Sequence, residues 1–400
     1  MERGWIIAGL VLALGCGSSG AGKVPGGDGG TGPEVDGGTA PDGGAGGAPD
    51  GGAPDAGPPD AGAGDGGTGA PPDAGAPDGG VGGSAFTGVS WTPLAQRGYG
   101  PGATEGEGTS EGAGELVDGR LYTFGGFDWS KPCCTPWRHA WVFDPGASGY
   151  PWRRLSDMPE GVTHAGTTTD GTDVYWAGGF VEDAARTFQI FGTRHVWRYR
   201  VATDTYEAMP DLPDDRGAGA LVYLDGKLHF FGGLSAGQAH DTGDHWVLDL
   251  AGGGKSWVAA APMPPGRERN HLGSAVYGGK IYAVGGQHGH DEGLVASAQV
   301  DVYDPATDSW RPLANMPLAK GHIAATTFVF QGRILALAGE IANGRYTAEN
   351  AAYDPATDTW VELTPYPVAI FSGIARPMLG GFVYTTGNYS AATWLGTPAD

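Results

Sequence analysis

The chain has 400 residues, with 45 Asp and Glu against 23 Lys and Arg, a formal net charge of −22, and 76 Gly, 30 Pro and three Cys. So acidic a chain, with neither a basic stripe nor a cationic helix, excludes nucleic acid and anionic lipid headgroups as partners. Three cysteines without a second spaced pair give no zinc-chelating framework.

In chain order, residues 1–16 open with Arg3, an apolar run from Trp5 to Leu14, then Gly15 and Cys16. This is the charged start, short apolar stretch and small residue of an export signal. It is too short to span a bilayer as a stable helix. Ala13-Leu14-Gly15-Cys16 is similar to a bacterial lipoprotein cleavage site, which implies lipidation of Cys16 and anchoring at the outer membrane or surface of a Gram-negative-type bacterium; the alternative is an ordinary signal peptide. Residues 17–84 reduce to Gly, Ala, Pro and Asp, with ten acids against Lys23. A segment with no aromatic residue and no hydrophobic face cannot offset its ordering entropy, so 17–84 is expected to be a disordered, self-repelling tether.

From Gly125 onward a pattern returns about every fifty residues. Small-residue pairs at Gly125-Gly126, Gly178-Gly179, Gly232-Gly233, Gly285-Gly286, Ala338-Gly339 and Thr386-Gly387 each close an apolar strand. A "DP.TD.W"-like run follows, as at Asp304-Pro305 to Trp310. Each unit reads as four short strands separated by turn residues, an all-β repeat architecture.

With the double glycine, the aromatic before it (Tyr122, Tyr175, Tyr282) and the spaced Trp152, Trp257, Trp310 and Trp360, with Tyr206 in the second unit, the chain resembles the kelch-repeat β-propellers. The resemblance covers residues 85–400 and implies a closed ring of blades. Five units are complete and a sixth, from Phe371-Ser372 to beyond Trp394, lacks its outer strand. Val89 to Leu94 has the same "W.PL" form as Trp310-Arg311-Pro312-Leu313, so it is expected to complete the last blade of a six-bladed ring.

In such a ring the first strand of each blade lines the axis. Aligning the units places Glu111, His164, Arg216, His271, His322 and Ser372 at the start of the six innermost strands. With Arg267, Arg269, Asn270 and Lys320 beside them, these residues form a polar mouth suited to a sugar or carboxylate; equally, they could serve only backbone groups and axial water. The expected partner is a carbohydrate or protein, bound by a monomer without chemistry of its own and without a cofactor.

The loop Gln287 to Glu292 is the densest polar cluster, and His288, His290 and Asp291 are candidate ligands of a divalent cation. Cys133 and Cys134 are adjacent in a loop: a strained vicinal disulfide, two free thiols, or a redox or metal element. Two enzyme resemblances offer alternatives. Galactose-oxidase-like copper enzymes use axial histidines and tyrosines, and His271 and His322 lie on consecutive blades, yet Asn270 and Gly321 stand where a tyrosine would precede. The run His290-Asp291-Glu292-Gly293-Leu294 is similar to the loop of sialic acid mutarotase that bears its catalytic carboxylate, which implies Glu292 as a general base.

Overall fold

A computed structural model describes residues 86–98, 107–128, 135–182, 190–235 and 240–399. The expected signal segment 1–16 with Cys16, the linker 17–84, and the pair Cys133 and Cys134 lie outside these residues. The described chain forms six four-stranded antiparallel sheets. Their innermost strands are Ala113–Val117, Gly166–Thr169, Ala220–Leu224, Gly273–Tyr277, Thr327–Phe330 and Ile374–Met378. Each touches the next and the last touches the first, so the ring is closed.

The repeated residues are those that tie one blade to its neighbour. The double-glycine positions all have positive φ, from 51° to 121°, which glycine adopts without strain. The second residue of each pair donates its N–H to a carbonyl of the following blade: Gly126 to Val162, Gly179 to Arg216, Gly233 to Arg269, Gly286 to Lys320, Gly339 to Ile370 and Gly387 to Thr109. The last of these bonds joins blade six to blade one. At Gly232 an added Cβ would stand 2.8 Å from the Arg269 carbonyl oxygen, so bare backbone is needed for that approach.

The outer strands are tied in the opposite direction by one aromatic donor per blade. Trp152 Nε1 donates to Ala95 O, Tyr206 Oη to Ser156 O, Trp257 Nε1 to Pro210 O, Trp310 Nε1 to Ala261 O, Trp360 Nε1 to Ala314 O and Trp91 Nε1 to Pro365 O. Tyr206 replaces tryptophan because any ring with a polar tip can fill the apolar slot and still donate.

The ring closes through the N-terminal strand, as its "W.PL" form predicts. Strand β1 (Gly88–Leu94) pairs antiparallel with β2 (Thr393–Ala399), from Gly88 opposite Ala399 to Leu94 opposite Thr393. Val89 joins the core shared by blades five and six, and Trp91 packs edge-on against Tyr366 and Phe382. At the seam between blade six and blade one, Arg376 on the innermost strand of blade six forms a bidentate pair with Glu115, at 2.8 and 2.6 Å, and donates to Ala325 O.

In blades one to five, at the end that carries the small-residue pair, the residue after the pair bridges back to the chain three to six residues ahead of the innermost strand: Phe127 to Ser110, Phe180 to Thr163, Leu234 to Gly217, Gln287 to Asn270 and Glu340 to Gly321. Small hairpins rise from this end, such as Phe180–Glu182 with Ile190–Gly192 and Gln287–His288 with Val295–Ala296. In blade five the strands themselves lengthen to Arg333–Ala342 and Arg345–Asp354. The most variable segments are thereby gathered around one mouth of the channel.

Candidate functional site

Six residues with φ between 47° and 57° start the innermost strands: Glu111, His164, Ala218, His271, His322 and Ser372. The left-handed turn aims each side chain at the axis. Their backbones bond around the ring, His164 N to Glu111 O, Ala218 N to His164 O, His271 N to Ala218 O and Ser372 N to His322 O. In blade three the position belongs to Ala218, not to Arg216, which lies two residues earlier. The expected alignment was out of register there because the loop before that strand, Asp211 to Gly217, carries its charge ahead of the turn.

Five polar side chains of the ring converge. His322 Nε2 lies 3.3 Å and His164 Nε2 3.7 Å from the Glu111 carboxylate, and Ser372 Oγ donates to the same group. The His271 ring lies with its centroid 4.0 Å from that of His322 and 4.9 Å from that of His164. Of the described residues, only Glu111, His164, His271 and His322 bring three or more metal-type donor atoms within 4.8 Å of one another.

The outer nitrogens of His164 and His271 are hydrogen-bonded, and that of His322 faces a carboxylate without a well-aligned hydrogen bond. His164 Nδ1 is 3.0 Å from Thr163 Oγ1, whose hydroxyl proton is given to Glu111 O. His271 Nδ1 meets Asn270 Oδ1, while Asn270 Nδ2 donates to Asp241 and to Gly289 O. His322 Nδ1 is 2.9 Å from a carboxylate oxygen of Glu340, the residue after the small pair of blade five. Burial, reinforced by neighbouring imidazoles, holds His164 and His271 well below the usual histidine range. Burial raises the Glu111 carboxyl despite His322 and Ser372. Burial also opposes charge on His322, but Glu111 and Glu340 outweigh it and raise its pKa.

Below the ring a cavity runs down the axis past Gly166, Thr167, Leu221, Ser274 and Ala325, with about 530 Å³ of space not filled by protein, part of it open to solvent; the ring itself stands at the channel mouth. Aromatic rings form its collar. Phe127 stacks on His164, Phe180 meets His164 edge-on, Phe371 meets His322 edge-on, and Tyr346 stacks on Phe371 at 4.2 Å. These rings were not among the expected site residues. Their signal was available, since Phe127 and Phe180 directly follow a double glycine, the position that faces the ring.

Several expected ligand residues do other work. Arg216, Arg269 and Lys320 occupy equivalent positions, two residues before the ring, and reach across the strand ends of their own blades. Arg269 is fully buried, pairs with Asp301 at 2.8 Å and donates to the carbonyls of Gly285, Ala283 and Gln299. Lys320 Nζ donates to Ala336 O and Glu349 O, and burial pushes its pKa down to about 7. Arg216 pairs with Asp214 and Asp244 over the Trp246 ring. Arg267 binds Asp301 and Val300 O. With such partners these cations are committed to strand ends, where buried carbonyls and carboxylates need donors.

The expected cation cluster of the fourth blade also divides. His288 faces Asp241 at 3.5 Å, whereas His290, 3.1 Å from its neighbour Asp291, turns into the mouth beside His271 and His164. Glu292 belongs to the 3₁₀ turn Asp291–Gly293, and its side chain is outside those described.

Comparison with known proteins agrees with this geometry. The family model "Kelch motif" matches residues 268–317, the fourth blade. The chain is 28% identical to Kelch-like protein terF of Aspergillus terreus over 57% of its own length and 49% of the relative's. It is 25% identical to Kelch-like protein 38 of Rattus norvegicus over 42% of its length and 26% of the relative's, and 25% identical to Beta-scruin of Limulus polyphemus over 42% and 18%. It thus spans about half or less of these relatives. Among solved structures, "Structure of YjhT" superposes with a TM-score of 0.58 at 14% identity, covering 72% of this chain and 94% of that one, a likeness of fold. With a kelch motif in its fourth blade, six small-residue joints and a closed ring of four-stranded blades, the chain folds as a six-bladed β-propeller of the kelch type.

Proposed function

We propose that this propeller binds a small oxygen-rich ligand, a sugar or sugar acid, in the channel mouth, without acting on it chemically. A kelch propeller is a scaffold for binding proteins or ligands, and its irregular residues decide which. The observation that carries the reading is the meeting of Glu111, three imidazoles and Ser372 beneath a collar of aromatic rings. Carboxylate and imidazole accept and donate to hydroxyls, while half-buried Tyr346, carried on the buried Phe371, is the collar ring left to meet the apolar side of a sugar; Phe127 and Phe180 are themselves buried. A partner protein is less well served. Among the described residues, the exposed large apolar side chains are Phe191, Val258, Val295, Val368 and Leu379, spread over different stretches of the ring. The Trp5 to Leu14 run before Cys16 supports export and membrane tethering, which would place the mouth among extracellular or periplasmic sugars.

Saturation-transfer NMR against a panel of neutral hexoses and sugar acids tests the reading. Transfer to one class, abolished by Tyr346→Ala with the melting curve unchanged, is expected. Absence of transfer across both classes, or transfer indifferent to Tyr346→Ala, would remove the mouth as a sugar site.

A further inference from the structure

We propose that Glu111, His164, His271 and His322 form a binding site for one divalent transition-metal ion of the zinc class, held by three imidazole Nε2 atoms and one carboxylate. The case rests on where the protons are. Thr163 Oγ1 spends its only proton on the Glu111 carbonyl, so it can only accept from His164 Nδ1–H. Asn270 presents its carbonyl oxygen to His271, because its amide nitrogen is engaged by Asp241 and Gly289 O, so His271 also carries its proton on Nδ1. Glu340 faces His322 Nδ1 with a carboxylate, which accepts only.

With the Nδ1 protons taken, the Nε2 lone pairs of His164 and His271 face inward beside a carboxylate. Lone pairs do not satisfy one another. His271 is 2% exposed, and its Nε2 is buried with no hydrogen-bond partner among the described residues. A buried polar atom without a partner costs about 1–3 kcal/mol, so its retention at a point where three other donors meet has a chemical reason in a shared cation. Metal-bound histidine characteristically gives its other N–H to a carbonyl or carboxylate that fixes its tautomer; Asn270 and Glu340 have that relation to the ring, and Thr163 supplies a hydroxyl in the same place.

The dimensions agree. Zinc–nitrogen bonds of about 2.0–2.1 Å in a tetrahedron put donors roughly 3.3 Å apart. Glu111 and His322 are already 3.3 Å apart, and all four donors lie within 4.8 Å, so shifts of about 1 Å or less bring them onto one ion. Three imidazoles and one oxygen suit Zn²⁺, Co²⁺ or Ni²⁺ and lack the sulfur that selects Cu⁺. The ion would sit at the floor of the mouth, where a coordination position toward the aromatic collar could take a hydroxyl or carboxylate. The inference shares this mouth with the proposed sugar site, and it is tested without any sugar, so either can fail alone.

The full chain, stripped with a chelator, is titrated with Co²⁺ and Zn²⁺. One equivalent of Co²⁺ should give a ligand-field spectrum, displaced by one equivalent of Zn²⁺. His164→Ala and Glu111→Gln should weaken binding by at least tenfold, and Asn270→Ala, which frees the His271 ring, by about 10–100-fold. His195→Ala, at an exposed histidine paired with Glu160, should leave it unchanged. Should a ring variant fail to fold, X-ray absorption of the Zn²⁺-loaded wild type still decides the matter: an ion surrounded by three imidazoles supports the site. Less than one bound equivalent in folded wild type, a coordination shell without imidazole, or affinity indifferent to His164→Ala would overturn it.

Discussion

Lowering the pH should destabilise this propeller through a pair of histidines remote from the mouth. His229 and His245 are 3% and 1% exposed, with His229 Nδ1 3.0 Å from His245 Nε2 and His245 Nδ1 3.2 Å from Ala261 O. Burial first, then the neighbouring His245 and Lys227, pushes His229 down to about 3; burial, partly offset by the Ala261 carbonyl, takes His245 to about 4. Both are neutral in the folded protein, whereas an unfolded histidine titrates near about 6.5. Between those values the unfolded chain binds more protons, so stability is fully present above pH ~6.5 and is lost as pH falls. From pH 7 to pH 5 each imidazole should withdraw about 2 kcal/mol, or about 4 kcal/mol for the pair. That is a large part of the roughly 5–15 kcal/mol typical of a domain.

The assay is urea unfolding followed by tryptophan fluorescence at pH 7, 6 and 5, for wild type and for His229→Phe/His245→Phe. Overpacking should cost the variant about 1–3 kcal/mol at every pH, so the informative quantity is the slope. His164 and His271 add acid sensitivity of the same sign and His322 the opposite, but all three are common to both proteins and cancel in the comparison. Equal loss of stability in the two proteins from pH 7 to 5 would refute the reasoning.

At the seam, Glu115→Ala leaves Arg376 buried without its carboxylate and should cost about 3–5 kcal/mol, while Glu115→Leu/Arg376→Met should recover most of it; thermal unfolding compares the three. Arg269→Met, which leaves Asp301 to Arg267 alone and strips the Gly285, Ala283 and Gln299 carbonyls of a donor, should lower stability by about 1–3 kcal/mol and leave sugar affinity of the folded fraction unchanged, as calorimetry would show. Removing residues 85–94 exposes the edge of Thr393–Ala399 and should abolish a single cooperative melt, with partial rescue by a peptide carrying Gly88 to Leu94. Trp360→Phe loses the donor to Ala314 O and should cost about 1–2 kcal/mol in urea unfolding.

The fold was legible in the sequence because its determinants repeat. A small-residue pair and an outer aromatic donor each satisfy a local need once per blade, with Asp-Pro turns in three of the blades, and the repetition raises them above chance. Even the strand swap could be read, since Trp91 carries the same pattern in the wrong place. Charge was the misleading signal at the mouth: Arg216, Arg269 and Lys320 look like ligand-seeking cations, and only the structure shows the carbonyls and carboxylates that engage them.

The ring is written in the repeat: six blades, their phase and the strand that closes them. Periodicity encodes this through backbone constraints that need no partner. Which residues meet at the axis emerges with the folded ring. Glu111, His164, His271 and His322 come from four blades and span 211 positions of chain. Their meeting depends on a left-handed turn at the head of each innermost strand and on the oxygens of Thr163, Asn270 and Glu340 behind them. No local pattern records that convergence, because closing the ring is what brings those turns together.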